Sequence, residues 1–304
     1  MMAAMSTLAT VLPYIRNVIK YAFFLLLALN ARSLPLMWHI RLCFKSQWVW
    51  YTRRRLYGNP HKYMEHCSPI GKSPFEVMHV MQGVATLDDS DIFGHLSNSS
   101  YAKTLDIARV QSGMQFWPSW YTTHRGWTPL GGADYAFLRE IPILGRYEMR
   151  TAIGGWDHKW LYFITYFVSY PRKGSRGEKE ETTLLPPAPL PRDLLPPGAI
   201  LHSVCGSRIC FKQGRLTTPP TIVLALSGMG GTEAIGRARW ARTQQLTKEG
   251  TLRDVLKANW KEELARPFLE GGWELKELEA ERKTGIEVCG KLLAGLEDLR
   301  PVAE

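Results

Sequence analysis

Asp91-Ile-Phe-Gly-His-Leu-Ser-Asn-Ser-Ser-Tyr101 gathers a carboxylate, a glycine, an imidazole and an amide side chain within eleven residues. Hydrolysis of an activated acyl group needs a carboxylate that attacks or activates water, and hydrogen-bond donors for the oxyanion that develops. Backbone N–H groups at a helix N-terminus supply such donors without reorganisation. Asp91 stands at the mouth of a helix expected to begin near Ser97. Gly94, lacking Cβ, permits close approach of an acyl carbonyl, and the Gly94, His95 and Leu96 amides are the expected donors.

Each of these residues also has a plainer reading. Asp91 is either the base or nucleophile, or a residue that forms an Asx-turn and favours the helix dipole. His95 reads first as a packed or hydrogen-bonded histidine and second as a base. Asn98 either orients ligand or water or caps the helix, and Tyr101 reads as core or dimer packing. Asp106 and Arg109, three residues apart on the same helix, read as a surface ion pair worth a few tenths of a kcal/mol.

The run from Asp91 to Arg109 resembles the D-x-x-G-H-x-N-N-x-x-Y…E/D-x-A-R signature of hotdog-fold acyl-CoA thioesterases of the 4-hydroxybenzoyl-CoA thioesterase type. It departs from that signature in carrying Ser97 where the first Asn often sits. Gly155-Trp-Asp-His-Lys-Trp160-Leu-Tyr-Phe163, with Phe167-Val-Ser169, is similar to a hairpin of thioesterase superfamily member 6-like proteins, which also begin with an apolar N-terminus. The resemblance spans about Pro74 to Gln213. It implies an α+β hotdog fold, an antiparallel sheet wrapped around one long helix. It further implies a fatty acyl-CoA substrate, Asp91, Asn98 and His95 as catalytic candidates, and Gly94, Leu96 and Tyr101 as substrate-binding candidates. CoA would enter as part of the substrate, with no separate cofactor. The partner implied is a second copy of the chain, as a homodimer or dimer of dimers, with acyl tunnels between one helix and the neighbour's sheet.

Patterning supplies elements able to hold the loop. Phe75 to Gln82 has strand character, Thr86 to His95 is a polar loop, and from Ser97 Tyr101, Leu105, Ala108, Val110 and Met114 recur at helical spacing up to Trp117-Pro118. Four further stretches read as strands, at Ala133 to Glu140, Arg146 to Trp156, Trp160 to Tyr170 and Ile200 to Gln213. Trp160 to Tyr170 is almost wholly aromatic and β-branched, as befits a strand buried on both faces, and Asp157-His158-Lys159 reads as its hairpin turn. A strand, a long helix and then a run of antiparallel strands make an α+β sheet with a helix laid across it. Pro171 to Ala199 begins with a charged run and goes on to six prolines from Pro186, a composition for a connection rather than a core. Pro186 and Pro189 make a PxxP match, read as linker. Ala234 to Leu246, Leu252 to Leu264 and Trp273 to Leu299 have helical periodicity. The expected organisation is an N-terminal anchor over 1–58, a hotdog domain over 59–218 with the insertion at 171–199, and a helical extension over 219–304.

The net charge of +10 invites a nucleic-acid reading, and its distribution removes it. Nine of the 38 basic residues precede Glu65, the first acidic one, leaving 29 basic against 28 acidic side chains in the rest. A body so balanced lacks the cationic surface that phosphate backbones select. The basic N-terminus instead flanks an apolar run from Tyr21 to Leu29, and Tyr21 to Ile40 is long enough to cross hydrocarbon with Arg32 as its one charge. The alternative window, Thr7 to Leu29, contains Pro13, Arg16 and Lys20. Trp38, Trp48, Trp50 and Tyr51 followed by Arg53-Arg54-Arg55 suit a membrane interface. A retained anchor competes with a cleaved targeting peptide and with a core helix. The excess of cations after the run would leave the body facing the cytosol, on the endoplasmic reticulum, with a mitochondrial location as the alternative.

Five cysteines at irregular spacing, without a CxxC, read as free thiols rather than a disulfide framework or zinc site, and no metal-ligand cluster is visible among the histidines. Ser227-Gly-Met-Gly-Gly231 lacks the Lys-Ser/Thr of a phosphate loop and reads as a turn. A non-catalytic lipid-binding module of the same fold, or an assembly subunit using the C-terminal helices, would fit the same elements.

Overall fold

The computed structural model describes residues 2–171, 186–252, 255–256 and 273–294. The charged run after Pro171 and the expected helix from Leu252 to Leu264 lie largely outside the described residues. Five strands form one antiparallel sheet: β1 (Met78–Val84), β2 (Leu130–Phe137), β3 (Arg146–Trp156), β4 (Leu161–Ser169) and β5 (Ile200–Ile209). Their order is β1-β3-β4-β5-β2. β4 lies at the centre and is buried along nearly its whole length, which is why its sequence has no polar alternation. The β3–β4 hairpin turns at Asp157, whose Oδ1 accepts the Lys159 and Trp160 amides at 2.7 Å each.

The N-terminal part is helical, with α1 (Met2–Leu29), α2 (Met37–Leu42), α3 (Val49–Leu56) and α4 (Pro60–Cys67). The 18 residues Leu12–Leu29 are long and apolar enough to cross a membrane, with a mean hydropathy of 1.4, and none of them is buried in the protein. The expected window Tyr21 to Ile40 does not survive as one helix. The chain turns at Ala31–Ser33, and Leu36 takes a left-handed φ of 64°. Arg32 therefore leaves the apolar run and binds the body of the protein.

Helix α5 (Asn98–Phe116) lies across the inner face of the sheet. Tyr101, Thr104, Leu105, Ala108, Ser112 and Phe116 are buried at helical spacing, whereas Val110 and Met114, which the apolar pattern includes, are only half-buried. Small polar residues let this face approach the sheet closely, and they masked its position in the sequence. The helix stops at Trp117, and Pro118 opens the short α6 (Pro118–Thr122). On the inner side Leu105, Ile107 and Tyr101 pack with Met149, Phe167 and Cys205.

The expected strand Ile200 to Gln213 is two strands. β5 ends at Ile209, and β6 (Phe211–Gln213) pairs instead with β7 (Leu216–Thr218). β2 sits three residues earlier than the pattern suggests, because the Leu138 and Arg139 amides both turn onto the His202 carbonyl. After β7 come α7 (Pro220–Leu226), α8 (Glu233–Glu249) and α9 (Glu279–Ala294). Ser227 to Gly231 is the turn between α7 and α8, with Gly228, Gly230 and Gly231 all at positive φ. The apolar residues of α7 share one core with Phe116, Trp117, Trp156 and Phe163, so this segment is integral to the packing.

Helix α9 covers the outer face, where Val288 and Cys289 meet Ala152, Ile164 and Tyr166. Burial pushes the Cys289 thiol up to about 12. The contact is close because glycines face each other: a Cβ on Gly285 would lie 2.1 Å from the Gly154 carbonyl oxygen. Gly285→Ala is therefore expected to destabilise by roughly 1–3 kcal/mol despite the helix preference of alanine. Gly290, on the same helix with nothing within 4 Å of a built Cβ, is the control. Gly290→Ala is expected to stabilise by up to about 1 kcal/mol. Urea denaturation of the two variants checks the opposite signs.

Candidate active site

The loop between β1 and α5 is shaped by its own backbone. The Asp91 amide donates to the His95 carbonyl at 2.9 Å, and the Gly94 amide donates back to the Asp91 carbonyl at 3.2 Å. Gly94 takes a φ of 80°, a region that favours glycine. A second loop zips onto this one: the Leu96 amide donates to the Ile141 carbonyl, and the Ile143 amide to the Gly94 carbonyl, each at 2.8 Å.

The Asp91 carboxylate turns into this loop. Its Oδ1 accepts the Phe93 amide at 2.9 Å and the His95 amide at 3.5 Å, which is the Asx-turn of the plainer reading. Its Oδ2 lies 3.1 Å from His95 Nδ1, and His95 Nε2 lies 3.4 Å from Glu140 Oε1. The Phe93 ring stacks on the imidazole. His95 thus bridges two carboxylates at the surface, and Glu140 is a member of the group that the motif did not reveal. A carboxylate offers about four lone-pair directions, so Oδ2 retains capacity for a proton or a water.

The expected oxyanion donors are engaged. Gly94, His95 and Leu96 all donate within the two loops, so in this conformation none is free for a ligand. The helix itself opens one step later than those amides. Ser97 is its N-cap, making no side-chain bond to the helix amides, and the Asn98 and Ser99 N–H groups have no partner among the described residues. These two donors are the ones that the helix start offers outward. The Asn98 side chain is exposed, and the space beside Gly94 is open. Tyr101 points the other way, packed edge-on to Phe137 and against Phe167 at centroid distances of 5.1 and 4.8 Å. Burial, with Tyr147 and Glu140 adding to it, raises its phenol above the ordinary range. Tyr101 is a core residue and does not join Asp91.

A second carboxylate, absent from the motif, holds the loop in place. Asp89 is only 1% exposed and pairs with Lys103 at 2.5 Å and Arg32 at 3.1 Å. Thr86 Oγ donates to it at 3.0 Å, and its backbone carbonyl accepts the Ser97 amide at 3.0 Å. Burial pushes its carboxyl up, and the combined pull of Lys103, Arg32 and Thr86 outweighs this, leaving it below the usual carboxylate range. Arg109 differs from expectation too. Its guanidinium is buried, pairs with Asp106 and donates to Ser207 Oγ on β5 at 3.1 Å, so it fastens the helix to the sheet. A cleft of about 250 Å³ lies between the end of α1 and the loop, lined by Leu29, Arg32, Leu87, Asp88 and Leu144 among others.

The thioesterase-like superfamily matches residues 85–183, the stretch that contains this loop, α5 and the central strands. "Probable thioesterase atnL" of Emericella nidulans is 29% identical over 223 residues, covering 67% of this chain and 69% of that protein. Thioesterase lcsJ of Purpureocillium lilacinum is 24% identical over 300 residues, covering 88% and 87%. Protein THEM6 of Danio rerio is 30% identical over 138 residues, covering 44% and 66%. Taken with an antiparallel sheet that wraps one long helix, these matches show that the chain carries a hotdog-fold domain of the thioesterase-like superfamily.

Proposed function

We propose that the protein is a membrane-anchored thioesterase acting on a fatty acyl-CoA, with Asp91 as base or nucleophile. The observation that carries the reading is the fixed carboxylate. Two loop amides and the His95 ring hold Asp91 in one orientation, three residues before Gly94 and its open face. With Asp91 as base, water loses a proton to Oδ2 and adds to the acyl carbon. The oxyanion meets the Asn98 and Ser99 amides and collapses, the C–S bond breaks, and the CoA thiolate takes the proton that Asp91 holds, which restores the carboxylate. His95, between Asp91 and Glu140, positions the carboxylate. CoA leaves as product, and no separate cofactor is invoked. The reading includes a homodimer, in which a neighbouring copy would complete the acyl site.

The free helix Leu12–Leu29 supports an anchor, and the cations after it support a body facing the cytosol on the endoplasmic reticulum. The full-length chain is expected to stay with membranes through carbonate extraction; recovery in the supernatant would refute the anchor. A panel of acyl-CoA chain lengths, with released CoA as readout, tests the activity. A second reading, lipid binding without turnover, is favoured by one observation: Oδ1 of Asp91 is spent on the loop's own amides. Acyl-CoA that co-purifies and is never hydrolysed would select it.

A further inference from the structure

The end of α1 is fastened to the candidate site. The Arg32 amide donates to Asp88 Oδ2 at 2.8 Å. The guanidinium reaches the Val84 carbonyl, Thr86 Oγ and Asp89 Oδ2 at 3.1–3.2 Å. Only Asn30 and Ala31 separate this clasp from Leu29, the last residue of the apolar helix. The 18-residue stretch Leu12–Leu29 is about 27 Å long, close to the hydrocarbon thickness, with Arg16 and Lys20 in its first half. Its end at Leu29 therefore marks the edge of the bilayer, and the loops that Arg32 binds sit at that edge.

Those loops are apolar where they are most exposed. Ile92 is 94% and Phe93 79% exposed, and Leu87, Ile143 and Leu144 are exposed beside them. The Ile143 amide bonds the Gly94 carbonyl, and Leu144 bonds Ala85 while lining the cleft against Leu29. The five side chains thus make one rim, contributed by the Asp91 loop itself and its two neighbouring loops and reaching the foot of α1 through Leu87 and Leu144.

We propose that this rim seats in the lipid bilayer, so that the candidate site draws its acyl chain from the hydrocarbon phase rather than from water. The proposal rests on the reading of α1 as a membrane span. It makes the substrate class a long-chain acyl thioester that partitions into lipid. The rim crosses the interface while Asp91, behind it, stays at headgroup depth where water and the CoA moiety are available.

The test uses the full chain, with Cys43→Ser and Cys67→Ser, in phosphatidylcholine vesicles. Nitroxide labels are placed at Phe93→Cys and Leu144→Cys, with Leu26→Cys on α1 and Arg215→Cys on the β6–β7 turn as references. Collision with oxygen against a water-soluble nickel chelate reads depth. Labels at 93 and 144 are expected to follow Leu26→Cys, and Arg215→Cys to remain in water. Water-like labels at 93 and 144 with a lipid-like Leu26→Cys would overturn the proposal and leave the anchor standing. A water-like Leu26→Cys would bring down the anchor reading and the proposal together. Labels shielded from both probes and broadened by a neighbouring spin would overturn it in favour of a second copy of the chain. In the activity arm, Leu144→Asn suits the left-handed backbone at 144 and removes an apolar side chain. It is expected to raise KM for vesicle-borne long-chain acyl-CoA about tenfold and leave a short, water-soluble acyl-CoA unchanged. Equal effects on both substrates would count against a lipid route.

Discussion

Asp91→Asn is expected to lower kcat for acyl-CoA hydrolysis by about 10²- to 10⁴-fold, the range for removing a positioned base. The substitution is well suited to separating chemistry from architecture. An asparagine carbonyl oxygen still accepts from the Phe93 and His95 amides, so the Asx-turn and the loop survive. Thermal melting should stay within about 1 kcal/mol of wild type, as for substitutions that spare packing and buried charge. Asp91→Ala removes both functions and should lose activity together with some loop order. CoA release measured on purified variants distinguishes the cases. An Asp91→Asn protein as active as wild type would assign the carboxylate to the turn alone.

Asp89 gives the larger stability effect. Asp89→Asn leaves Lys103 and Arg32 facing a neutral amide in a buried place, and breaking a buried pair from one side costs about 3–5 kcal/mol. Lys103 and Arg32 keep 35% or less of their side-chain surface in water, 26% and 35%, so the lower end, about 3 kcal/mol, is expected. The pH dependence follows from the direction of the shift. Because the folded carboxyl titrates below its unfolded value of about 3.9, its contribution is fully present above that pH. It is lost as pH falls through the lower, folded value. Wild type should therefore lose stability relative to Asp89→Asn below about pH 4, and their urea midpoints should converge there. Midpoints separated by a constant amount down to the acid limit would contradict the assignment. The same variant loosens the seat of Arg32 and of the Ser97 amide, so activity should fall with stability.

What the sequence disclosed follows from how far each interaction reaches. β4 was legible because a strand buried on both faces shows no alternation of apolar and polar residues, and the Asp157 turn because its hydrogen bonds reach no further than three residues. Helix α5 was legible in extent but not in rotation, since Ser112 and Thr104 lie on its buried face and Met114 at its margin. The Asp91 loop was recognisable by motif. Its neighbour Asp89 was not distinguishable from Asp88, because burial beside Lys103 and Arg32 depends on a contact across 57 residues of chain. The Gly94, His95 and Leu96 amides, expected to face outward, are engaged instead: the first two close onto Asp91 within the loop, and Leu96 bonds Ile141 on a segment that no local pattern includes. Hydropathy placed the apolar run but not its end, for it registers Arg32 as a charge within a span rather than as a ligand of Asp88 and Asp89.

With α9 laid over β3, β4 and β5, the broad back of the sheet is closed by the chain's own tail. Two such sheets cannot stack back to back without expelling that tail, and the glycine contact at Gly154 and Gly285 leaves no slack for it to slide aside. Any further copy that met the sheet itself would have to do so elsewhere than on this covered back.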